Sequence, residues 1–507
     1  VTHVPKRAEL RDRSFGGMID LDVAVVGGGP AGATAAGLLA QWGHRVRLLT
    51  RPLRGPSLAE SLTPSCSRLL ERVGVLGAIN RAGFVRSTGH TVKWAGSDVR
   101  VERFPNGAYG WQVSRDALDR VLLRTAQQAG ARVSRGASVR RIVRDGNTWQ
   151  VAYEFRGRLR YLSASRVIDC TGRSGLMSRR DAGRVSTSPQ TMALVGMFER
   201  RPHWHLDDAS HTYVESYAGG WAWSVPVSRT RRQVTVMLDP SHTRVSKGQR
   251  LLATYRRELA RTTLIRAIAD QGRLVSAPWA REASTYTCES PVRDGVLLAG
   301  DAASFVDPLS SFGVKKAIAS AWLAAVATHT ALTDADLEAD AQRLFCERER
   351  AMVDGLGQQL RGLATDAAGV HASEFWSDRA HWQDRVSTIE PDVDALRYDE
   401  GVRAAFETIR ASESLSLRRA VDVRRVWRPV VVDHLVQRRE HLCVPAFPDG
   451  LRYLRNVDAL HLLDLAPRYG QVPELYDAYQ RTAPPVPLED FLGVLAVLIA
   501  KGVLRIA

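Results

Sequence analysis

Lysine is nearly absent from this chain. Of its 70 basic residues in 507, six are lysine (Lys6, Lys93, Lys247, Lys315, Lys316 and Lys501), which leaves 64 arginines spread along the sequence. The formal net charge of +16 therefore reflects scattered arginine. A nucleic-acid footprint would gather cations and aromatics together, so no nucleic-acid partner is expected. Cysteine is scarce as well. Cys66, Cys170, Cys288, Cys346 and Cys443 are isolated, odd in number and without a C-x-x-C pair, which excludes a disulfide framework or structural zinc and points to a reducing compartment. Long apolar runs are missing too. The most apolar helical stretch, 317–332, is broken by Trp322, Thr328 and His329 and is too short to span a bilayer. The opening VTHVPKRAELRDRSFGG is charged and carries no apolar h-region, so no secretory signal is expected. The expectation is a cytoplasmic protein with no membrane span.

What is present is concentrated in one stretch, Asp22 to Gly43, which reads DVAVVGGGPAGATAAGLLAQWG. The run Val23–Val26 suits a strand buried on both faces. Gly27, Gly29 and Gly32 then follow at G-x-G-x-x-G spacing, with Pro30 and Ala31 opening a helix. The first glycine permits the tight turn, the second lets backbone approach a pyrophosphate, and the third brings helix and strand together. The helix start directs unpaired N–H groups and a positive dipole end at the phosphates. A second apolar strand, Val46–Leu49, follows at the expected distance. After it an acid would hold a ribose; this chain has Thr50 and Arg51, and a threonine hydroxyl still offers one hydrogen bond.

At this length two or three domains are expected. Polar AESLTPS, 59–65, leads into a helix at 67–73, and GHTVKWAG, 89–96, alternates like a strand. Arg115 stands at the start of an amphipathic helix whose buried face is Leu118, Val121, Leu122 and Ala126. A cation gains nothing from the dipole there, so Arg115 is either placed for a ligand or an exposed surface residue. RVIDCTGRSG, 166–175, returns the chain to the first sheet. From 192 to 238 apolar runs alternate with turns as in a second, largely antiparallel sheet. Within it Trp221 and Trp223, two residues apart, share a face, as core packing alone would also arrange. A buried strand then ends in Gly300-Asp301, and a turn from Pro308 to Gly313, followed by Val314, opens a long helix. Both strand ends would meet at one cofactor.

GGGPAG, DCTG and GDAASFVDPLSSFG, in this order and spacing, resemble the group A flavoprotein monooxygenase superfamily, the para-hydroxybenzoate hydroxylase fold. AESLTPS looks like the G-E-S turn of its flavin-dependent halogenases, and GWAWSVP looks like their W-x-W-x-I-P stretch. The resemblance covers about 20–331. It implies an α/β fold in which a Rossmann-like FAD-binding domain holds an inserted antiparallel substrate sheet, from about 86–110 and 185–290. It also implies FAD held by Gly27, Gly29, Gly32, Ser61, Arg115, Gly300 and Asp301, with Pro308–Gly313 along the ring.

Two departures set the chain apart from halogenases. Their lysine that captures hypohalous acid corresponds here to Ser87. Lys93 lies six residues on, an even offset that on one alternating strand would share the face but stand roughly 20 Å away. Their glutamate in P-L-E-S-T-G is Ser310. The D-P-L-S-S-x-G-V form looks most like the monooxygenases that hydroxylate tryptophan during quinoprotein maturation. The expectation is an FAD-dependent monooxygenase acting through a flavin hydroperoxide on an indole-like or tryptophan-like substrate, a small molecule or a peptide, with dioxygen as co-substrate. Trp221, Trp223, Pro308, Ser310, Ser311 and Ser87 are the pocket candidates. No second dinucleotide motif is visible, so NAD(P)H binds transiently or a partner flavin reductase delivers the electrons. An atypical halogenase and a geranylgeranyl-reductase-like enzyme are the alternatives. No general base stands out; His90, His211 and Glu215 read as structural residues.

Beyond the flavin domain, 1–332, the stretch 333–427 reads as a helical region. The last part, 428–507, reads as a small winged-helix-like module with helices near 457–466, 473–481 and 488–501 and a terminal strand.

Overall fold

The computed structural model describes residues 20–52, 55–96, 98–178, 183–243, 245, 249–381, 396 and 399–507. The chain forms two compact units, 1–386 and 387–507. In the first, β1 (Asp20–Val26) is central to a parallel sheet. Val23, Ala24 and Val25 have no exposed surface, as a strand covered on both faces requires. α1 (Pro30–Gln41) leads to β2 (Val46–Thr50), with Val23 opposite Val46. The chain then leaves that sheet. β3 (Ala59–Leu62), β4 (Val85–Ser87), β5 (Gly89–Lys93) and β6 (Gly110–Ser114) follow. β3 and β4 flank β6 in a small antiparallel sheet, whereas β5 joins a larger one. α2 (Arg115–Gln128) packs on α1, and β7 (Arg158–Asp169) returns beside β1 with Val25 opposite Ile168.

The larger sheet contains β8 (Met192–Glu199), β9 (Thr212–Tyr217), β10 (Gly220–Pro226) and β11 (Arg231–Leu238). Their pairing is antiparallel, as the alternating pattern predicts, but β9 and β5 pair in parallel. Alternate residues face opposite sides. Leu194, Tyr213, Tyr217, Val234 and Val236 pack with Ile265 and Ile268 of α3 (Leu264–Asp270) on one face. Ala193, Val195, Val214, Trp221, Trp223 and Met237 line the other. β12 (Trp279–Glu282) pairs with β8, and β13 (Val296–Leu298) rejoins the parallel sheet beside β7.

Three helices complete this unit: α4 (Gly313–Thr333), α5 (Glu338–Ala368) and α6 (Glu374–Ala380). α5 packs on α4, and Phe375 and Trp376 of α6 join Ala364 and Ala367 of α5 against the Trp221 face. The sequence divides the chain at 332 and 427; the contacts divide it between 386 and 387 instead. The reason is that α5 packs on α4 and both α5 and α6 bury apolar side chains against the Trp221 face, a tertiary preference that helical periodicity does not carry.

In the second unit, α7 (Glu400–Ala411) packs on the last helix, and β14 (Leu417–Arg419) pairs with the terminal strand, so both belong with the C-terminal elements. A long hairpin follows, β15 (Arg424–Val432) and β16 (Leu435–Val444), where the sequence indicates a short strand. α8 (Ala459–Leu465), α9 (Val472–Thr482) and α10 (Leu488–Ala500) precede β17 (Leu504–Ile506). Among the described residues no helix is long and apolar enough to cross a membrane.

Candidate functional site

The turn from β1 to α1 is closed by backbone. Gly27 has φ +109°, and a Cβ on it would lie 2.1 Å from the Cys170 carbonyl oxygen. A Cβ on Gly32 would lie 1.7 Å from the Gly27 oxygen. Both positions require glycine. Gly29 differs: within 4 Å its Cβ would meet only Arg115 Nη2, at 3.7 Å. Its backbone therefore faces open space, next to a guanidinium and to the uncapped start of α1, where Pro30 takes the first turn. Ala31 sits 3.1 Å from where a Cβ on Gly300 would be, so the Gly300–Asp301 turn closes against the same helix start. An open backbone cradle, a helix N-terminus and a guanidinium in one place fit a pyrophosphate.

Arg115 opens α2 and is 29% exposed. Its Nη1 lies 3.3 Å from Glu60 Oε1 and its Nε 3.4 Å from Asp119 Oδ1. Burial works against its charge, but Asp119, Glu60 and Asp301 outweigh it and hold the guanidinium above its ordinary value. Burial pushes the Glu60 and Asp119 carboxyls up, while Arg115 pulls both back. The G-E-S-like turn, α2 and the Gly300–Asp301 turn thus share one electrostatic site. Glu60 and Asp119 escaped the sequence reading, although the i,i+4 spacing of Arg115 and Asp119 was a legible signal.

Ser61, opposite Gln112 across β3 and β6, has a buried hydroxyl without a hydrogen-bond partner among the described residues. Thr50 packs its side chain where a Cβ on Gly28 would fall and donates to the Arg51 carbonyl at 3.3 Å; Arg51 is exposed. Asp169 of DCTG is fully buried and accepts from the Thr171 and Met177 N–H groups, each at 2.9 Å, which locks the neighbouring turn.

The 307–313 turn is also self-contained. Asp307 Oδ1 accepts from Leu309 N–H, and Ser310 Oγ donates to the Asp307 carbonyl, both at 2.9 Å. Ser311 takes a left-handed φ of +52° before α4 starts at an uncapped Gly313, beside which a Cβ would find open space, with Val314 buried. Pro308 begins this turn. The Ser310 hydroxyl is thus engaged within the turn.

The Trp221 face of the large sheet is aromatic. Trp221 and Trp223 stack with centroids 4.4 Å apart. Trp94, Phe375, Trp376 and Trp279 cluster around them, and the Trp279 N–H has no partner among the described residues. Trp221 is core, at 2% exposure, as packing alone would have it, whereas Trp223 is half-buried. Above them Arg379 donates to Thr191 Oγ1 and the Gln190 carbonyl and lies 3.7 Å from Asp239. Asp307, raised by burial, feels the Arg379 charge, so α6 and the 307–313 turn share one neighbourhood. Nothing in the sequence pattern singled out Arg379.

Ser87 and Lys93 do not lie on one alternating strand, as the sequence spacing had them: the chain leaves β4 at Ser87 and enters a different sheet at Gly89. A Cβ on Gly89 would lie 2.2 Å from the Glu102 carbonyl oxygen and 3.0 Å from His211 Nε2, so glycine permits this crossing. Ser87 is completely buried and donates to the Gly89 carbonyl at 3.0 Å. Lys93 pairs in register with Glu215 and contacts Thr263 Oγ1 at 2.5 Å, on the helix-covered face opposite Trp223. Glu215 itself accepts from the Thr263 and Ile265 N–H groups at the start of α3.

His211 has no exposed surface and bonds Thr88 and Thr91, while His90 packs edge-on against Phe104. Burial holds the His211 imidazole below its ordinary value, with Asp208 pulling the other way. A depressed value means that the unfolded chain binds the proton first. The contribution is therefore fully present above about pH 6.5 and is lost as the pH falls. Thermal unfolding from about pH 7 to about pH 5 should show a downward step in the midpoint that His211→Asn flattens. Among the described residues no three His, Cys, Asp or Glu side chains group as a metal site.

The fold and this constellation define a flavoprotein, and the chain belongs to the FAD binding domain family, whose profile matches residues 20–339. The curated proteins it resembles include flavin-dependent halogenases. Among its relatives, a tryptophan 2-halogenase from Chondromyces crocatus is 28% identical over 318 residues, covering 60% of each protein. The chain thus spans about three fifths of that relative's length. In solved structures the fold recurs in CmlS, a flavin-dependent halogenase, with TM-score 0.75 and 23% identity over 96% of each chain. It recurs also in the peptidyl tryptophan dihydroxylase QhpG, with TM-score 0.68 and 23% identity over 95% of this chain and 99% of that one.

Proposed function

We propose that the chain hydroxylates an electron-rich aromatic carbon, on an indole or tryptophan-like ring either free or carried on a peptide, with FAD and dioxygen. The observation that carries this reading is the fate of the halogenase lysine. Its position is Ser87, closed off by its own bond to Gly89, and Lys93 faces away from the tryptophans. Of the other lysines in the first unit, Lys315 bonds Ser65 and lies over Phe312, and Lys316 is buried behind the Gly300–Asp301 turn. Lys6 and Lys247 lie outside the described residues.

Bound FAD supplies the redox chemistry that activates dioxygen. Gly27, Gly29 and Gly32, with the α1 start at Pro30 and Ala31, hold the pyrophosphate in this reading. Arg115 stands beside the pyrophosphate, Thr50 and Arg51 border the adenosine, Ser61, Gly300 and Asp301 border the ribityl chain, and Pro308–Gly313 and Val314 border the ring. The N–H groups at the start of α4 stabilise negative charge there. Trp223, backed by Trp221, offers a flat wall to the substrate ring, while α6 excludes water. The inserted sheet is thus the substrate domain, and the electrons come from NAD(P)H or a partner flavin reductase. The tryptophan named in two relatives, and the peptidyl substrate of one, agree with an indole carried on a peptide.

The test is product analysis with the reduced, FAD-loaded protein, indole or a tryptophan-containing peptide, isotopically heavy dioxygen and bromide. The expected product gains labelled oxygen and no bromine. A brominated product would establish the halogenase instead, and reduction of an isoprenoid double bond without oxygen uptake would establish the reductase.

A further inference from the structure

Lys316 stands in the second turn of α4 with no exposed surface at all. A buried ammonium is costly unless it is paired and hydrogen-bonded. Its Nζ donates to the Ser304 carbonyl and lies 3.9 Å from Asp301 Oδ1. Behind it on α5 is Glu349, 3% exposed, whose carboxylate oxygens form no full hydrogen bond among the described residues. Burial pushes the Glu349 carboxyl up, and the Lys316 charge and Ser320 hydroxyl pull it back. Ser320 in turn accepts the Gly300 N–H at 2.8 Å. One buried network therefore ties α4 to the turn that borders the cofactor, with the Glu349 carboxyl of α5 close behind it.

The charge inventory gives this network a purpose. Glu60, Asp119, Asp301 and Asp307 surround the site, and Arg115 already serves the first two. Oxidised flavin is neutral in its ring; on taking up two electrons and one proton it becomes an anion. In a pocket this rich in carboxylates that anion needs a nearby cation held rigidly in low dielectric.

We propose that Lys316 is a fixed cation of the flavin pocket, a positioning residue that clamps the Gly300–Asp301 turn to the Ser304 segment and makes the reduction potential of bound FAD less negative. The inference rests on FAD lying against that turn and is independent of whether the product is hydroxylated or halogenated.

The experiment is a dithionite titration of the full-length, FAD-loaded protein against a reference dye, with FAD affinity measured alongside. Lys316→Met should weaken reduced FAD at least about tenfold more than oxidised FAD, which is about 30 mV towards more negative potential for a two-electron couple. Lys316→Arg, which keeps the charge, should return most of that shift. Removing one partner of a buried pair is destabilising, whereas replacing both is often tolerated. If Lys316→Met does not fold, Lys316→Met/Glu349→Leu decides, with a smaller shift of the same sign. A folded variant without Lys316 that binds FAD at the wild-type potential would overturn the proposal. Failure of the wild-type protein to bind FAD would instead overturn the cofactor placement itself.

Discussion

Replacing Gly29 with valine leaves the protein folded and removes its FAD. Gly29 has φ −79° and ψ −170°, a region open to any residue. A Cβ there meets nothing nearer than Arg115 Nη2 at 3.7 Å. The thermal midpoint should stay within about 2 °C of wild type. In the assigned arrangement, however, that side chain occupies the space through which backbone N–H groups reach the pyrophosphate. FAD affinity should fall by about two orders of magnitude, roughly 3 kcal/mol, as read by fluorescence titration of the apoprotein. Gly32→Ala is the contrast. Its Cβ would collide with the Gly27 carbonyl at 1.7 Å, so the fold itself should suffer. Wild-type FAD affinity in Gly29→Val would place the phosphates elsewhere.

The two stacked tryptophans should separate in the same way. Trp221→Ala empties a core position shared with Ala193, Met237, Phe375 and Trp376 and should cost about 3–5 kcal/mol in denaturant unfolding. Trp223→Ala, at a half-buried position, should cost much less stability. It should weaken binding of indole or a tryptophan peptide by about five- to thirtyfold, the worth of one lost aromatic contact of about 1–2 kcal/mol. Binding is followed through perturbation of the flavin spectrum. Equal stability losses in both variants, with ligand affinity unchanged, would make the pair core packing only.

The two glycine-bounded turns were legible because their chemistry is local. In the first, a strand, a glycine at positive φ and a helix start lie within a dozen residues, so the sequence pattern and the geometry are nearly the same statement. Gly27, Gly29 and Gly32 stand where their spacing puts them. The Ser87–Lys93 segment was legible only in part. Its alternation is real on each side of Thr88, but the pleat does not continue through Gly89, where the chain changes sheets. Periodicity cannot show such a switch, because each half obeys it. Arg379 and Glu349 were not legible at all. Both lie on charged helices whose sequences look like solvent-facing surface.

The sequence by itself determined the Gly27–Gly32 strand-to-helix turn, the alternating antiparallel sheet, the serine at position 87 and the three apolar helices near the C-terminus. These follow from backbone sterics and from hydrophobic periods of two and 3.6 residues, which act over short distances. Only the tertiary structure decided which face Lys93 takes, that α5 and α6 close the aromatic face, and that Arg115 answers to Glu60, Asp119 and Asp301 together. Those facts depend on which distant surfaces exclude water from one another. Burial of that kind is a property of pairs of elements that the chain brings together, and no single stretch of it encodes them.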